Sequence, residues 1–335
     1  MRSICGRSDA GVWLADPEAL HLERTLASGQ TFRWRWETSA DGGNTALGVV
    51  GRYVLRLRHD ERGLWLLSPR TAAARRLLID YLGLARPGGG IRTIEAALAG
   101  DAILAGVLAH TRGIAVLAQD PWEILISFII SANNNIPKIG RSIECLARAL
   151  GERLSEEAWA FPSPERLAGA DRPTLAACLL GYRAPYVRDT ARLVADGRLN
   201  LSDLRGMCLE DARHRLLSVP GVGEKVADCV LLFGLDQAGA FPVDIWVQRA
   251  VERLYFRGRP RPLREIRYFG RARFGPLAGY AQQHLFAYAR SHLRDGARPR
   301  RPPAKSSDQR LIAAKAWSQA SNVRSTSASV CASER

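Results

Sequence analysis

Hydrophobic and polar positions alternate with a period of two residues in the first part of the chain. Residues 52–58 alternate between apolar and mostly basic side chains, and residues 60–63 have the composition of a turn before an apolar run at 64–67. A period of two places alternate side chains on opposite faces of a strand. We therefore predict that strands continue to about residue 70 and form an antiparallel sheet with one charged face.

Helix signals dominate the chain beyond that point. A capping residue followed by an early proline occurs at Asp120-Pro121, Asn135-Ile136-Pro137 and Ser163-Pro164. An Asp, Asn or Ser at the N-cap with Pro in the first turn is typical of a helix N-terminus. These signals predict that helices begin at all three places.

Together these patterns predict an α+β fold. We expect an N-terminal antiparallel β-sheet domain with flanking helices over residues 1–115, packed on an α-helical body over 116–296. The last segment, 297–335, begins with Arg-Pro repeats and continues in Ser, Ala and Gln, a composition that favours a disordered basic tail.

A tight turn lies inside the predicted helical body. Val219-Pro220-Gly221-Val222-Gly223 follows one amphipathic stretch and precedes another, so that residues 209–236 have the pattern of a helix, a hairpin and a helix. The glycines at 221 and 223 let the backbone turn sharply and approach a partner closely, and the next helix then directs free N–H groups at an anion. Hairpins of this composition also serve as plain connections between helices.

The charge of the chain favours a polyanionic partner. The 335 residues carry a formal net charge of +15, with a sequence pI of about 10.2. This charge suits DNA, RNA or an anionic membrane surface. Only four lysines occur beside 44 arginines, and Lys225 follows the glycine hairpin. Because guanidinium cannot lose its proton and attack as a nucleophile at neutral pH, Lys225 is a candidate for covalent chemistry.

Asp244 is the second candidate for a chemical role. It follows a Phe-Pro-Val turn and precedes an amphipathic run that starts at Ile245, so we predict that it caps a helix and is held ionised by the helix dipole. Capping alone would account for an aspartate at this position.

Several ordered motifs resemble a known family. The hairpin with Lys225 and Asp244 is similar to the helix-hairpin-helix DNA glycosylase superfamily, and the chain resembles its 8-oxoguanine DNA glycosylases over roughly residues 8 to 296. Four further segments match in order: Ser28-Gly29-Gln30-Thr31-Phe32-Arg33-Trp34, Phe128-Ile129-Ile130-Ser131-Ala132-Asn133-Asn134-Asn135-Ile136, Leu180-Gly181-Tyr182-Arg183-Ala184, and Gly279-Tyr280-Ala281-Gln282 with Phe286.

The resemblance implies a bifunctional enzyme that excises 8-oxoguanine and then nicks the abasic strand. It implies that Lys225 is the nucleophile and Asp244 the catalytic carboxylate. It further implies that the Gly29 carbonyl accepts the N7 hydrogen of the oxidised base, and that Gln282 binds the Watson–Crick edge. Cys229 and Phe286 would hold the base ring between them.

The resemblance also implies contacts to DNA. Asn133, Tyr182 and Arg183 fall on positions that fill the gap left by the flipped base and contact the opposite cytosine, and Gly221 and Gly223 on the backbone-gripping hairpin. Lys138 stands where animal and fungal members usually have an Arg that reads cytosine, and one ammonium cannot reproduce a bidentate fork. Trp246 replaces a His near the catalytic Asp.

The remaining expectations concern cofactors, partners and location. The six cysteines include no C-x-x-C pair, and only Cys331 follows Asp244, so we predict no metal, no iron–sulfur cluster and no other cofactor. We expect a monomeric, intracellular protein that binds double-stranded DNA containing 8-oxoguanine and no membrane. Two alternatives are a monofunctional alkylated-base glycosylase of the same fold, which Lys225 disfavours, and a noncatalytic helix-hairpin-helix DNA-binding protein.

Overall fold

The computed structural model describes residues 11–38, 44–86 and 90–293. The basic segment 297–335, predicted to be disordered, lies outside the described residues. Within them, no helix is long and apolar enough to cross a membrane.

The N-terminal part contains a five-stranded antiparallel sheet with the strand order β1-β5-β4-β3-β2. Leu55 and Leu57 of β4 are fully buried while Arg56 between them is exposed, which confirms the predicted alternation of faces. The predicted turn after Asp60 joins β4 to β5. The strands are β1 Val12–Ala15, β2 Trp34–Thr38, β3 Asn44–Val50, β4 Tyr53–Asp60 and β5 Gly63–Ser68.

Helices make up most of the rest of the described chain. The helices are α1 Leu22–Ala27, α2 Ala72–Tyr81, α3 Gly90–Leu98, α4 Ala102–Thr111, α5 Pro121–Ser131, α6 Ile136–Leu150, α7 Pro164–Ala168, α8 Arg172–Ala177, α9 Ala184–Ala195, α10 Leu201–Arg205, α11 Leu209–Leu217, α12 Glu224–Phe233, α13 Ile245–Tyr255, α14 Leu263–Phe274 and α15 Ala278–His292.

Local capping explains where several of these helices begin. Asp120, Asn135 and Ser163 accept a hydrogen bond from the backbone N–H three residues ahead, and proline follows in the first turn of α5, α6 and α7. Each side chain satisfies one of the donors that a helix N-terminus leaves unpaired. The three predicted helix starts are confirmed.

Two hydrophobic cores organise the described residues. The first joins the inner face of the sheet to α1 and α2, and the second fills the helical part around α5 and α12. Every residue from Ile124 to Ile130 in α5 is buried, and α12 packs directly against this helix. Helix α12 is therefore held by the centre of the larger core. The division of the chain at residue 115 stays a prediction.

Candidate active site

A cavity of about 1120 Å³ lies where α5, α12, α13 and α15 meet the turn before β2. It brings together residues that are far apart in the sequence. Those singled out from the sequence that line it are Gly29, Asn133, Gly221, Gly223, Lys225, Cys229, Asp244, Trp246, Gln282 and Phe286. Lys138, Tyr182 and Arg183 lie outside this lining.

Lys225 lies in the first turn of α12, directly after the hairpin. Its Nζ atom donates a hydrogen bond to Ser131 Oγ at 3.1 Å and lies 4.6 Å from the centre of the Phe128 ring. The side chain is partly buried. The amine is therefore held at the wall of the cavity by the C-terminal end of α5.

The hydroxyl of Ser131 is already used as a donor. Ser131 Oγ donates to the carbonyl oxygen of Phe128 at 2.7 Å. A serine has one hydroxyl hydrogen, so towards Lys225 it can act only as an acceptor. The lone pair of a neutral Lys225 amine is consequently not bound by this neighbour.

Asp244 is the N-cap of α13, as predicted. Its Oδ1 atom accepts hydrogen bonds from the backbone N–H groups of Trp246 and Val247, both at 2.9 Å. Burial raises the pKa of Asp244 above its usual value, although these two hydrogen bonds and the charges of Lys225 and Arg290 oppose the shift. This differs from the expectation that the helix dipole would dominate, because the cost of burying the charge is larger here.

Charged pairs anchor α12 to the helices α11 and α14. Arg213 of α11 and Arg267 of α14 bind the buried carboxylate of Asp228 at 2.8 and 2.9 Å. Both arginines also pair with Glu224, one turn earlier on the same helix. Burial raises the pKa of Asp228 to about 6 against the opposing effect of the two arginines. The network fixes the helix that carries Lys225. Its one signal in the sequence is weak: two acidic residues, Glu224 and Asp228, spaced by four positions.

Gly29 has a backbone conformation that only glycine adopts easily. Its φ is +75°, in the left-handed region, and a Cβ atom there would lie 3.2 Å from Phe286 Cζ and 3.3 Å from Ile136 Cδ1. The backbone of Gly29 therefore packs closely against the ring of Phe286. The two residues are in contact in the lining of the cavity, and their role in a base pocket stays a prediction.

Cys229 and Gln282 are both buried in the cavity lining, with exposed fractions of 2% and 4%. Burial raises the pKa of the Cys229 thiol to about 12, so it is a neutral apolar contact at physiological pH. The Oε1 atom of Gln282 accepts a hydrogen bond from Gln283 Nε2 at 2.9 Å. Gln283 also lines the cavity, and the sequence motif did not single it out.

The hairpin is supported from α9. A Cβ atom on Gly221, whose φ is +81°, would lie 2.7 Å from Tyr186 Cβ, so the turn needs glycine both for its conformation and for this contact. Thr190 of the same helix donates to the Pro220 carbonyl oxygen at 3.4 Å. Gly223 is the N-cap of α12. The predicted helix, hairpin and helix are confirmed.

Arg183 organises the Asn-rich turn at the rim of the cavity. Its guanidinium donates to the carbonyl oxygens of Ala132, Asn133 and Leu180, and the residue is only 6% exposed. Asn133 has a φ of +49° and its side-chain amide donates to the Tyr182 hydroxyl at 3.3 Å. In this arrangement the arginine holds the turn, and the reading of a base by Arg183 stays a prediction.

The two residues that depart from the family pattern, Lys138 and Trp246, lie in different places. The Lys138 side chain is partly exposed in the first turn of α6, and its backbone N–H donates to the cap Asn135. Trp246 follows Asp244 at the cavity and stacks with the Arg249 guanidinium, 5.0 Å from its ring centre. Within the described ranges, no group of three or more His, Cys, Asp or Glu side chains could hold a metal ion.

Two known families match adjoining parts of the chain. The HhH-GPD superfamily of base excision DNA repair proteins matches residues 126–269. The N-terminal domain of 8-oxoguanine DNA glycosylases matches residues 13–125. Together the two matches cover the sheet, the hairpin and the positions of Lys225 and Asp244.

Individual relatives extend the match. The chain is 37% identical to a probable N-glycosylase/DNA lyase of Methanothermobacter thermautotrophicus over 57% of this chain and 68% of the relative. It is 34% identical to the N-glycosylase/DNA lyase of Saccharomyces cerevisiae over 70% of this chain and 68% of the relative. The crystal structure of Clostridium acetobutylicum 8-oxoguanine glycosylase/lyase, in complex with double-stranded DNA containing cytosine opposite 8-oxoguanine, superposes with a TM-score of 0.76 at 34% identity, covering 82% of this chain and 93% of that one. The chain thus belongs to the HhH-GPD superfamily of base excision DNA repair proteins and, within it, to the 8-oxoguanine DNA glycosylase family.

Proposed function

We infer that this protein is a DNA N-glycosylase and lyase that excises 8-oxoguanine from duplex DNA and cuts the strand at the abasic site. The observation that supports this function is a single cavity lined by both candidate catalytic residues, Lys225 and Asp244. The same cavity is lined by the candidate base-binding residues Gly29, Gln282 and Phe286. A stacked base cannot reach such a cavity, so the damaged nucleotide must turn out of the helix. Extrusion costs a few kcal/mol, which contacts in the pocket offset.

Base excision uses the neutral amine of Lys225. The nitrogen lone pair forms a bond to the sugar carbon C1′ while the bond from C1′ to the base breaks. The departing base takes the electron pair of that bond and the proton that the newly bound nitrogen loses. Asp244, as a carboxylate, stabilises the positive charge that develops on the sugar. Ser131 aligns the amine without occupying its lone pair.

Strand cutting follows from the same covalent bond. Opening of the sugar ring gives a protonated imine between Lys225 and C1′, which acidifies the hydrogen on C2′. Loss of that proton and departure of the 3′ phosphate break the DNA strand by β-elimination. Water then hydrolyses the imine and returns the amine. One lysine thus serves both activities.

Recognition of the base is proposed for four residues of the cavity. The Gly29 carbonyl accepts the N7 hydrogen that oxidised guanine has and guanine lacks, and Gln282 binds the Watson–Crick edge. Cys229 and Phe286 cover the faces of the ring. The close contact between Gly29 and Phe286 supports this arrangement, since it brings the backbone of one to the ring of the other.

Binding of the DNA itself is proposed for the rim. The hairpin glycines Gly221 and Gly223 let the backbone approach a phosphate, and Asn133 and Tyr182, joined by a hydrogen bond, fill the gap in the duplex. Lys138 lies in the first turn of α6, between Pro137 and Ile139, which line the cavity. Arg183 reads the opposite cytosine only if it exchanges its carbonyl acceptors for the base.

We also propose that the enzyme is a monomer that works inside the cell, where its DNA substrate is. The side chains assigned above come from one chain, so the proposed chemistry requires no second copy. Light scattering after gel filtration tests the monomer directly.

A panel of four duplexes tests the function. Two of them carry 8-oxoguanine or normal guanine opposite cytosine. The other two carry an alkylated base or thymine glycol opposite its normal partner. We expect excision and cutting without alkali only at 8-oxoguanine. Excision of the alkylated base without cutting would instead identify a monofunctional alkylated-base glycosylase. Binding with neither activity would identify a noncatalytic DNA-binding protein.

A further inference from the structure

Gln283 is a buried amide beside the residue proposed to read the base. It follows Gln282 in α15, both residues line the cavity, and only 3% of Gln283 is exposed. A buried amide costs free energy unless its polar atoms find partners. The presence of a buried amide with an unpaired atom in the wall of this cavity therefore needs an explanation.

The hydrogen bonding of Gln283 is one-sided. Its Nε2 atom donates to Gln282 Oε1 at 2.9 Å, whereas its own Oε1 is buried with no partner among the described residues. An apolar residue in its place would leave Gln282 Oε1 without this donor but would also remove the unpaired Oε1 of Gln283, and these two effects on the free energy of unfolding oppose each other. Gln283 thus contributes little to stability, and its effect falls on the orientation of Gln282.

We propose that Gln283 is a specificity-determining positioning residue that fixes the side-chain amide of Gln282 in one of its two orientations. An amide turned by half a revolution exchanges its carbonyl oxygen for its NH₂ group. The bond from Gln283 requires the oxygen of Gln282 on the side of Gln283. The NH₂ group of Gln282 then lies on the side away from Gln283, where it is the donor for a ligand in the cavity.

This orientation selects one chemical class of base. An NH₂ group only donates, so it favours a purine with a carbonyl oxygen at position 6, as in 8-oxoguanine. It disfavours a purine with an exocyclic amine there, as in 8-oxoadenine. The inference rests on the proposed function, because it requires a base to enter the cavity with this edge towards Gln282.

The test compares two substrates and two reactions. Single-turnover excision is measured for 8-oxoguanine and 8-oxoadenine, each opposite cytosine, and borohydride trapping is measured on a duplex with a preformed abasic site. Gln283→Met keeps most of the volume and removes the amide. We expect the 8-oxoguanine to 8-oxoadenine rate ratio to fall about five- to tenfold, the effect of one neutral hydrogen bond. Trapping on the abasic duplex should not change, since no base fills the pocket.

A control variant separates this effect from a general loss of an amide. Gln237 donates to the Met207 carbonyl oxygen, away from the cavity. Gln237→Met should lower the melting temperature with an unchanged rate ratio, whereas Gln283→Met should keep or raise the melting temperature. Gln283→Ala is the second variant for the case that methionine does not fit.

The results distinguish failure of the proposed function from failure of the role proposed for Gln283. A wild-type enzyme that does not excise 8-oxoguanine overturns the proposed function and this inference with it. An active wild type whose ratio is unchanged in both Gln283 variants overturns this inference alone. Equal losses of stability, abasic trapping and excision would also overturn it, since they indicate a structural role.

Discussion

The Nζ atom of Lys225 donates a hydrogen bond to Ser131 Oγ, whose own hydrogen is given to the carbonyl oxygen of Phe128. This chain of two bonds fixes the direction of the amine relative to α5. It also leaves the nitrogen lone pair free of this hydroxyl, which is what attack on a sugar carbon requires. Ser131 is therefore the group that we expect to align the nucleophile.

Ser131→Ala removes that acceptor. We expect the single-turnover rate of imine formation to fall about three- to tenfold, because one hydrogen bond to the amine is lost. Ser131→Thr retains a hydroxyl and should recover part of the rate. Ser127→Ala, at a buried position one turn earlier on α5, controls for the loss of a serine and should keep the wild-type rate. Equal rates in Ser131→Ala and Ser127→Ala would contradict the proposal that Ser131 aligns Lys225.

Asp244→Asn separates the capping role of this residue from its charge. Asparagine also caps helices well, so the free energy of unfolding should change little. Excision should fall about 100-fold or more, since the carboxylate no longer opposes the developing positive charge. Denaturant unfolding and single-turnover excision measure the two effects. Near-normal excision would leave Asp244 with capping alone.

The raised pKa of Asp244 predicts a pH dependence. A raised pKa means that the carboxylate takes up a proton at a higher pH than an ordinary aspartate, whose pKa is 3.8. Excision should therefore decline, as the pH falls, at a higher pH than an unperturbed aspartate would give. The decline should be absent from the residual activity of Asp244→Asn. A wild-type profile that is flat down to the ordinary pKa of Asp would contradict this.

Gly29→Ala tests the wall of the pocket. The left-handed backbone costs alanine about 1–2 kcal/mol, and its Cβ atom presses on Phe286 and Ile136. Gly51→Ala is a matched control, since Gly51 has a φ of +57° and its Cβ atom would meet nothing within 4 Å. We expect similar losses of stability, measured by thermal unfolding, but a loss of 8-oxoguanine excision only in Gly29→Ala. Equal excision by both variants would mean that Gly29 is a turn residue only.

Lys138→Arg tests the reader of the opposite base. If the lysine weakens selection for cytosine, the arginine variant should sharpen the preference for 8-oxoguanine opposite cytosine over adenine, since a bidentate contact contributes about 1–3 kcal/mol of selectivity. Total affinity should change little because the charge is kept. Excision rates on the four opposite-base duplexes measure this. Unchanged ratios would make Lys138 a phosphate contact or a solvated residue.

The features that could be predicted from the sequence are local ones, such as strand alternation and helix caps. The alternation at Leu55 and Leu57 and the caps at Asp120, Asn135 and Asp244 depend on neighbours within a few residues, so the pattern alone identifies them. The hydrogen bond between Lys225 and Ser131 depends on the packing of α12 against α5, which neither periodicity nor spacing contains. The pKa of Asp244 shows the same limit, since the helix dipole is visible in the sequence but the burial that outweighs it is not.

Borohydride trapping on a duplex with 8-oxoguanine opposite cytosine tests the central claim, that Lys225 forms the imine. The wild-type protein should give a covalent adduct. Lys225→Gln and Lys225→Arg, the second of which keeps the charge but cannot attack, should bind the duplex and give none. An undiminished adduct in Lys225→Gln, or no adduct with the wild type, would contradict the account.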